Sequence, residues 1–265
     1  MNAEHVLDHR DDHPLAPDLV RRTANKVPEV TVYFWIIKVL TTGMGETASD
    51  FLAKALNPAL AVGIGGLGFV VSLVLQFSLR RYVAWIYWTG IVMVSVFGTM
   101  AADVLHVALG VPYAISTPFF ALVLAVVFGW WYASERTLSI HRIDSRRREL
   151  FYWAAVLSTF ALGTAAGDLT ASAGLRYLGS AVLFAVAICI PAVLHRSGLL
   201  GAVAAFWGAY VITRPLGASL ADWMALPHNR AGLAMGLGPV TLSWAVAIIG
   251  LVAYMAISKR DAPTA

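Results

Sequence analysis

The chain has 265 residues, of which 59% are apolar or aromatic and only 13% are charged, and its mean hydropathy is +0.72. Its 19 basic and 15 acidic side chains cannot cover a soluble domain of this size, so the composition describes an integral membrane protein. A scattered net charge of +4 excludes a nucleic-acid surface, and a single cysteine, Cys189, excludes an internal disulfide framework or a cysteine-based metal site.

Residues 1–27 are polar and mix Glu4, Asp8, Asp11, Asp12 and Asp18 with Arg10, Arg21, Arg22 and Lys26, the wrong pattern for a cleavable signal. With Pro14 and Pro17 they read as a flexible cytoplasmic tail. His5, His9 and His13 recur every fourth residue there, as either part of a disordered tail or a weak metal-collecting segment. Apolar runs begin after Pro28, and a helix needs roughly 20 residues to cross about 30 Å of hydrocarbon. Eight such spans are expected, near 30–54, 59–79, 83–108, 114–133, 150–174, 178–194, 199–225 and 233–257. Turn signals such as Asn57-Pro58, Arg80-Arg81, Gly110-Val111-Pro112 and Pro227-His228-Asn229 divide them. The expected organisation is a tail (1–27), a first half with four spans (28–133), a basic cytoplasmic loop (134–149), a second half with four spans (150–257) and a C-terminal cytoplasmic tail (258–265).

Orientation follows from the bases. With the tail in the cytoplasm, that side holds fourteen of the nineteen, including Arg80, Arg81, Arg136, Arg142, Arg146, Arg147, Arg148, Arg196, Lys259 and Arg260. The opposite side keeps Lys54, Arg176 and Arg230. The positive-inside rule then places both termini in the cytoplasm, which an even number of spans satisfies.

Internal repetition is plain once Asp50, Asp103, Asp168 and Asp222 are aligned. Fifteen residues upstream of each stands a tryptophan: Trp35, Trp88, Trp153 and Trp207. An aromatic precedes each tryptophan (Phe34, Tyr87, Tyr152, Phe206), and a glycine lies five residues before each aspartate (Gly45, Gly98, Gly163, Gly217). The pattern [FY]-W-x9-G-x4-D thus occurs four times, always in an odd-numbered span. The expected fold is all-α, with eight transmembrane helices as four parallel helix-pair repeats about the membrane normal. On these residues the chain resembles a bacterial integral-membrane family built from four tandem two-span repeats of unknown function, each marked by a tryptophan. The resemblance covers roughly residues 28–257 and implies architecture and a bacterial inner (plasma) membrane location rather than an activity.

The tryptophans read most simply as an interfacial aromatic belt, and the glycines as points of close helix packing. The aspartates are harder to explain so simply. Fifteen residues of helix put each about 22 Å beyond its tryptophan, inside the hydrocarbon, where an unpaired carboxylate costs several kcal/mol. Four at one depth are expected either to form a cation-attracting ring or to cap neighbouring helix ends.

Departures from the repeat add Glu46, in the slot held elsewhere by Thr99, Thr164 and Ala218, and His106, three residues after Asp103. Thr47 and Ser219 add hydroxyls at equivalent positions, and with Thr99 and Thr164 they are candidate polar supports. Lys38 and Arg214 are the intramembrane bases, expected as charge partners, with Lys38 able to snorkel to the inner interface. The residues Glu46, Asp50, Asp103, His106, Asp168 and Asp222 make an oxygen-rich, sulfur-free set suited to a divalent ion such as Mn²⁺ or Mg²⁺. Pro215 is expected to kink the seventh span.

These features favour a membrane transporter for a small cation, a divalent metal such as manganese foremost. Asp50, Asp103, Asp168, Asp222 and Glu46 would bind or relay the ion, with proton coupling expected to be available to them. A passive cation or proton channel, or a membrane scaffold with structural helix-capping aspartates, are the alternatives. No Ser/His pair or His-Glu-x-x-His stands in the spans, so an enzyme is not expected. No firm cofactor is implied beyond a bound divalent cation. The expected partners are the lipid bilayer and the cation, without nucleic acid, and the oligomeric state is left open.

Overall fold

The computed structural model describes residues 25–260, and among them the regular structure is helical, with no strand. Residues 1–24, with His5, His9 and His13, lie outside the described residues. In chain order the α-helices are α1 (Val32–Ala55), α2 (Pro58–Ser78), α3 (Ala84–Asp103), α4 (Tyr113–Glu135), α5 (Arg146–Thr170), α6 (Arg176–Ala187), α7 (Cys189–Arg196), α8 (Ala202–Ala225) and α9 (Leu237–Ser258). A wider turn extends α3 over Val104–Ala108, and another extends α5 over Ala171–Leu175.

Local chemistry sets these boundaries. Thr31 caps α1 by accepting from the Phe34 amide, Asn57 caps α2 from Ala59, and Ser145 caps α5 from Arg148. Pro58 opens α2, where its missing N–H costs nothing. Gly174, at φ 111°, turns the chain between α5 and α6, a conformation that a side chain would strain. The break between α6 and α7 falls at Ile188, near the carbonyl that Pro191 leaves without its usual N–H partner. α8 runs through Pro215 as one continuous helix, whereas the sixth apolar run is divided between α6 and α7.

Five stretches are long and apolar enough to cross a membrane: Pro58–Ser78, Ala84–Ala108, Tyr113–Glu135, Arg146–Arg196 and Leu237–Ser258. The third-to-last of the expected spans and its predecessor are merged in the Arg146–Arg196 stretch. α1 and α8 are equally long at 24 residues but carry Lys38, Glu46, Asp50 and Lys54, or Arg214 and Asp222. Burial explains the difference. α1, α3, α5 and α8 form a closed inner ring, each packed against the next and α8 against α1. Outside it, α2 packs on α3, α4 on α5, α6 and α7 on α8, and α9 returns to α1. Most large exposed apolar side chains belong to the outer helices, Leu67, Leu122, Val186 and Val246 among them. The assembly is a transmembrane helix bundle with its apolar surface outward and its polar residues inward.

The boundary expected at residue 27 falls within packed structure. Asn25, Lys26 and Val27 are buried, and the Lys26 amide donates to the Ile143 carbonyl in the loop between α4 and α5. Lys26 Nζ meets Glu149 Oε2 at 2.5 Å, and Gln76 Nε2 donates to Glu149 Oε1 at 3.2 Å. The basic loop is itself ordered by Arg147 and Arg148 on Glu135, and by Arg148 on Asp144.

Candidate functional site

Positions four apart on a helix lie nearly in line, so a residue series at that spacing marks one face. On α1, α3, α5 and α8 such a series runs back from each repeated aspartate. It defines five successive layers along the axis of the inner ring.

The first layer holds Phe34, Tyr87, Tyr152 and Phe206, each followed by its tryptophan. The contacts are cyclic. Phe34 meets Trp88 at 5.6 Å between ring centroids, Tyr87 meets Trp153 at 5.9 Å, Tyr152 meets Trp207 at 6.1 Å, and Phe206 meets Trp35 at 5.6 Å. Trp88, Trp153 and Trp207 are buried, and Trp207 Nε1 donates to the Leu138 carbonyl at 2.9 Å. The expected interfacial belt is therefore a collar between helices, because each indole fills the gap to its neighbour. The Tyr87 and Tyr152 hydroxyls meet at 2.5 Å across it. Tyr87→Phe is expected to lower stability by about 1 kcal/mol, the usual worth of one such bond, with the melting temperature as the measure. An unchanged melting temperature would show that the hydroxyl pair contributes nothing.

The second layer is Lys38, Ile91, Val156 and Tyr210, all fully buried. Lys38 does not snorkel. Its Nζ lies 4.0 Å from the centroid of Phe160 and 4.2 Å from that of Tyr210, with no hydrogen-bond partner.

The third layer is Thr42, Ser95, Phe160 and Arg214, and it explains the repeated glycines. Gly45 faces Ser95, Gly98 faces Phe160, Gly163 faces Arg214, and Gly217 faces Thr42. Each inner helix thus receives, at its glycine, the third-layer side chain of the next. A Cβ at any of the four would occupy space already taken by that neighbour; at Gly98 it would stand 2.7 Å from Phe160 Cβ.

The fourth layer is Glu46, Thr99, Thr164 and Ala218, and here the axis closes. Arg214 reaches in from the layer below and donates to Glu46 Oε2 at 2.7 Å, to Thr164 Oγ1 at 2.7 Å and to Thr99 Oγ1. It also donates to the Thr42 carbonyl at 3.1 Å. Thr99 and Thr164 each donate to Glu46 Oε2 at 3.3 Å. Arg214 is fully buried and Glu46 is 5% exposed, so each charge depends on the other. Ala218 leaves the fourth slot small, which makes room for the guanidinium.

The repeated aspartates form the outermost layer. Asp222 is buried, Asp103 and Asp168 are partly buried, and the Asp50 side chain is 32% exposed beside Lys54, 3.7 Å away. They lie within electrostatic range of one another and of Glu46. Tyr113 faces Asp168, and Tyr177 lies close to Asp222. Among the described residues, the side chains that cap helix N-termini are Thr31, Asn57 and Ser145, none of them a repeated aspartate.

The structure divides the expected metal-ligating set. Glu46 belongs to the closed layer with Arg214. His106 turns away from Asp103: its Nδ1 lies 2.7 Å from the Val111 carbonyl, and its ring stacks on Tyr113 at 3.4 Å. Among the described residues no three His, Cys, Asp or Glu side chains stand close enough to hold a metal ion between them. Of the polar supports, Thr99 and Thr164 reach the axis. Thr47 accepts from Thr241 at 2.8 Å on α9, and the Ser219 hydroxyl has no partner and lies against the position of Gly167. Sequence reasoning passed over Thr42, Ser95 and Phe160, although all three stand eight residues before an aspartate, in register with Arg214.

No curated protein and no solved structure matches the chain. A family model described as Repeat of Unknown Function (DUF347) matches residues 33–82, 86–137, 151–197 and 205–261. Each match begins in or just before an inner helix and contains one tryptophan–glycine–aspartate signature. Four matched repeats extend over most of the sequence, and the chain belongs to that repeat family.

Proposed function

We propose that this protein is a transporter for a small cation, which it carries along the axis of the inner ring. In this reading α1 to α5, α6 with α7, α8 and α9 make eight membrane spans. They form four parallel helix pairs about the membrane normal, in a bacterial inner membrane with both termini cytoplasmic. The supporting observation is the order of the layers. Four carboxylates gather at one end of the axis, while the Glu46–Arg214 layer and the aromatic collar close the rest. Interior aspartates attract cations, and a path closed at its centre suits alternating access better than a continuous pore. A divalent ion would be taken with part of its water shell, since the carboxylates are not gathered into a ligand cage. Asp50, Asp103, Asp168 and Asp222 collect the ion, and protonation of the same carboxylates offers the coupling.

The test is uptake into proteoliposomes of Mn²⁺, Mg²⁺ and Na⁺, with internal pH recorded. Changing each aspartate singly to Asn is expected to lower initial uptake about tenfold, equivalent to about 1.4 kcal/mol. Folded wild-type protein that moves none of these ions and no protons would overturn the reading. So would an all-Asn variant that transports as well as wild type.

A further inference from the structure

Lys38 stands out among the buried bases. Lys26 meets Glu149 and Arg214 meets Glu46, so each of those has a carboxylate. Lys38 is fully buried, yet its amine nitrogen finds no hydrogen-bond partner. The charged group facing it from α8 is Arg214, of like sign, and Glu46 on its own helix is already engaged by Arg214. On α3 and α5 the Tyr87 and Tyr152 hydroxyls are bonded to each other. What lies against the amine nitrogen is two aromatic faces, Phe160 from α5 and Tyr210 from α8. Aromatic faces around a dehydrated cation are the chemistry by which proteins recognise ammonium-type ligands.

Position along the axis adds to this. Tyr210 is the fourth-repeat counterpart of Lys38 itself, and Phe160 belongs to the adjoining layer, so the cage is built from axis-facing positions. It lies between the closed Glu46–Arg214 layer and the aromatic collar. A cation that passed the closed layer would arrive at this cage next.

We propose that the aromatic cage around Lys38 is a second, inner cation-binding site, filled in this conformation by the protein's own side-chain amine and vacated when a small cation takes its place. Its place in a transport cycle rests on the transport reading above. The cage's capacity to bind a small ammonium-class cation does not.

Removing the tethered amine should therefore create a binding site. In purified protein, Lys38→Ala is expected to gain a melting temperature that rises with methylammonium concentration and saturates, while wild type, in which the tethered amine must first leave, responds only at much higher concentration. Adding Phe160→Leu to Lys38→Ala is expected to abolish the gain. A folded Lys38→Ala that ignores methylammonium, or a wild type that responds equally, would overturn the proposal.

A second measurement keeps the question open to refutation should Lys38→Ala not fold. The sequence has four lysines, Lys26, Lys38, Lys54 and Lys259, so labelling by an amine-reactive reagent can be read peptide by peptide. Phe160→Leu with Lys38 intact is expected to raise labelling of Lys38 several-fold over wild type. Equal protection in both would count against the cage. Methylammonium binding by Lys38→Ala without ion flux through wild type would sink the transport reading alone, and flux through wild type without binding by Lys38→Ala or exposure of Lys38 in Phe160→Leu would sink this one alone.

Discussion

Arg214→Met is expected to destabilise the protein by about 3–5 kcal/mol, because it leaves the Glu46 carboxylate buried without its counter-charge. Thr99 and Thr164 still donate to Glu46 in that variant, but two hydroxyls cannot neutralise a charge in a low-dielectric interior. The double change Glu46→Gln with Arg214→Met is expected to recover most of the loss. Replacing both members of a buried pair by groups of similar volume is often close to neutral. Denaturation of the single and double variants in one detergent measures the coupling directly. Equal stability of Arg214→Met and wild type would mean that the closed layer is not held by charge pairing. In flux measurements the double variant separates fold from function, since it restores packing without restoring the ion pair.

A substitution at Gly163 is the second large effect. A Cβ there would fall on the stem of Arg214, with Pro215 close behind, so neither side can yield without moving the helix. Gly163→Val is expected to cost about 3 kcal/mol, at the upper end for overpacking, and Gly98→Ala about 1–3 kcal/mol. Gly63, Gly129 and Gly250 supply the contrast, because a Cβ at each meets nothing within 4 Å. Alanine at those helical positions is expected to be neutral or to stabilise by up to about 1 kcal/mol. Melting temperatures of the two groups should therefore move apart. If Gly163→Val melts with the Gly63→Ala control, the glycine contacts do not set the ring.

These two predictions concern different parts of one device. The glycines let four helices approach closely enough for every third-layer side chain to sit against its neighbour, and one of those side chains is Arg214. Close approach places the guanidinium on the axis, where Glu46, Thr99 and Thr164 converge from three other helices. A looser ring would leave Arg214 facing a single helix.

Several features of this arrangement were legible in the sequence. The register of Trp35, Trp88, Trp153 and Trp207 with the four aspartates singled out the odd-numbered spans, which carry charge through apolar runs and which the structure places in the inner ring. Glu46 and Arg214 were recognisable as departures from the repeat, and the glycines as contact points. The tryptophans were not legible in the same way. Interfacial preference and inter-helix packing both favour an aromatic near a helix end, and only the neighbouring Phe34, Tyr87, Tyr152 and Phe206 rings distinguish them. His106 was equally ambiguous. Its spacing from Asp103 allowed a shared ligand face, but the widened turn over Val104–Ala108 carries its imidazole to the Val111 carbonyl instead.

The composition by itself determined the solvent of this protein: too little charge for a watery surface means an apolar one. The repeat by itself determined which residues are equivalent, since a four-residue periodicity fixes which side chains share a helix face. What only the tertiary structure decided is which face meets which. Glu46 and Arg214 are 168 positions apart and on different copies of the repeat, and no local pattern specifies helix rotation or the order of helices around a ring. Packing at the glycines draws the four helices together, so the ionisable groups inside the bundle resolve into the Glu46–Arg214 pair at its centre, Lys38 between two aromatic faces, and four carboxyl groups at one end.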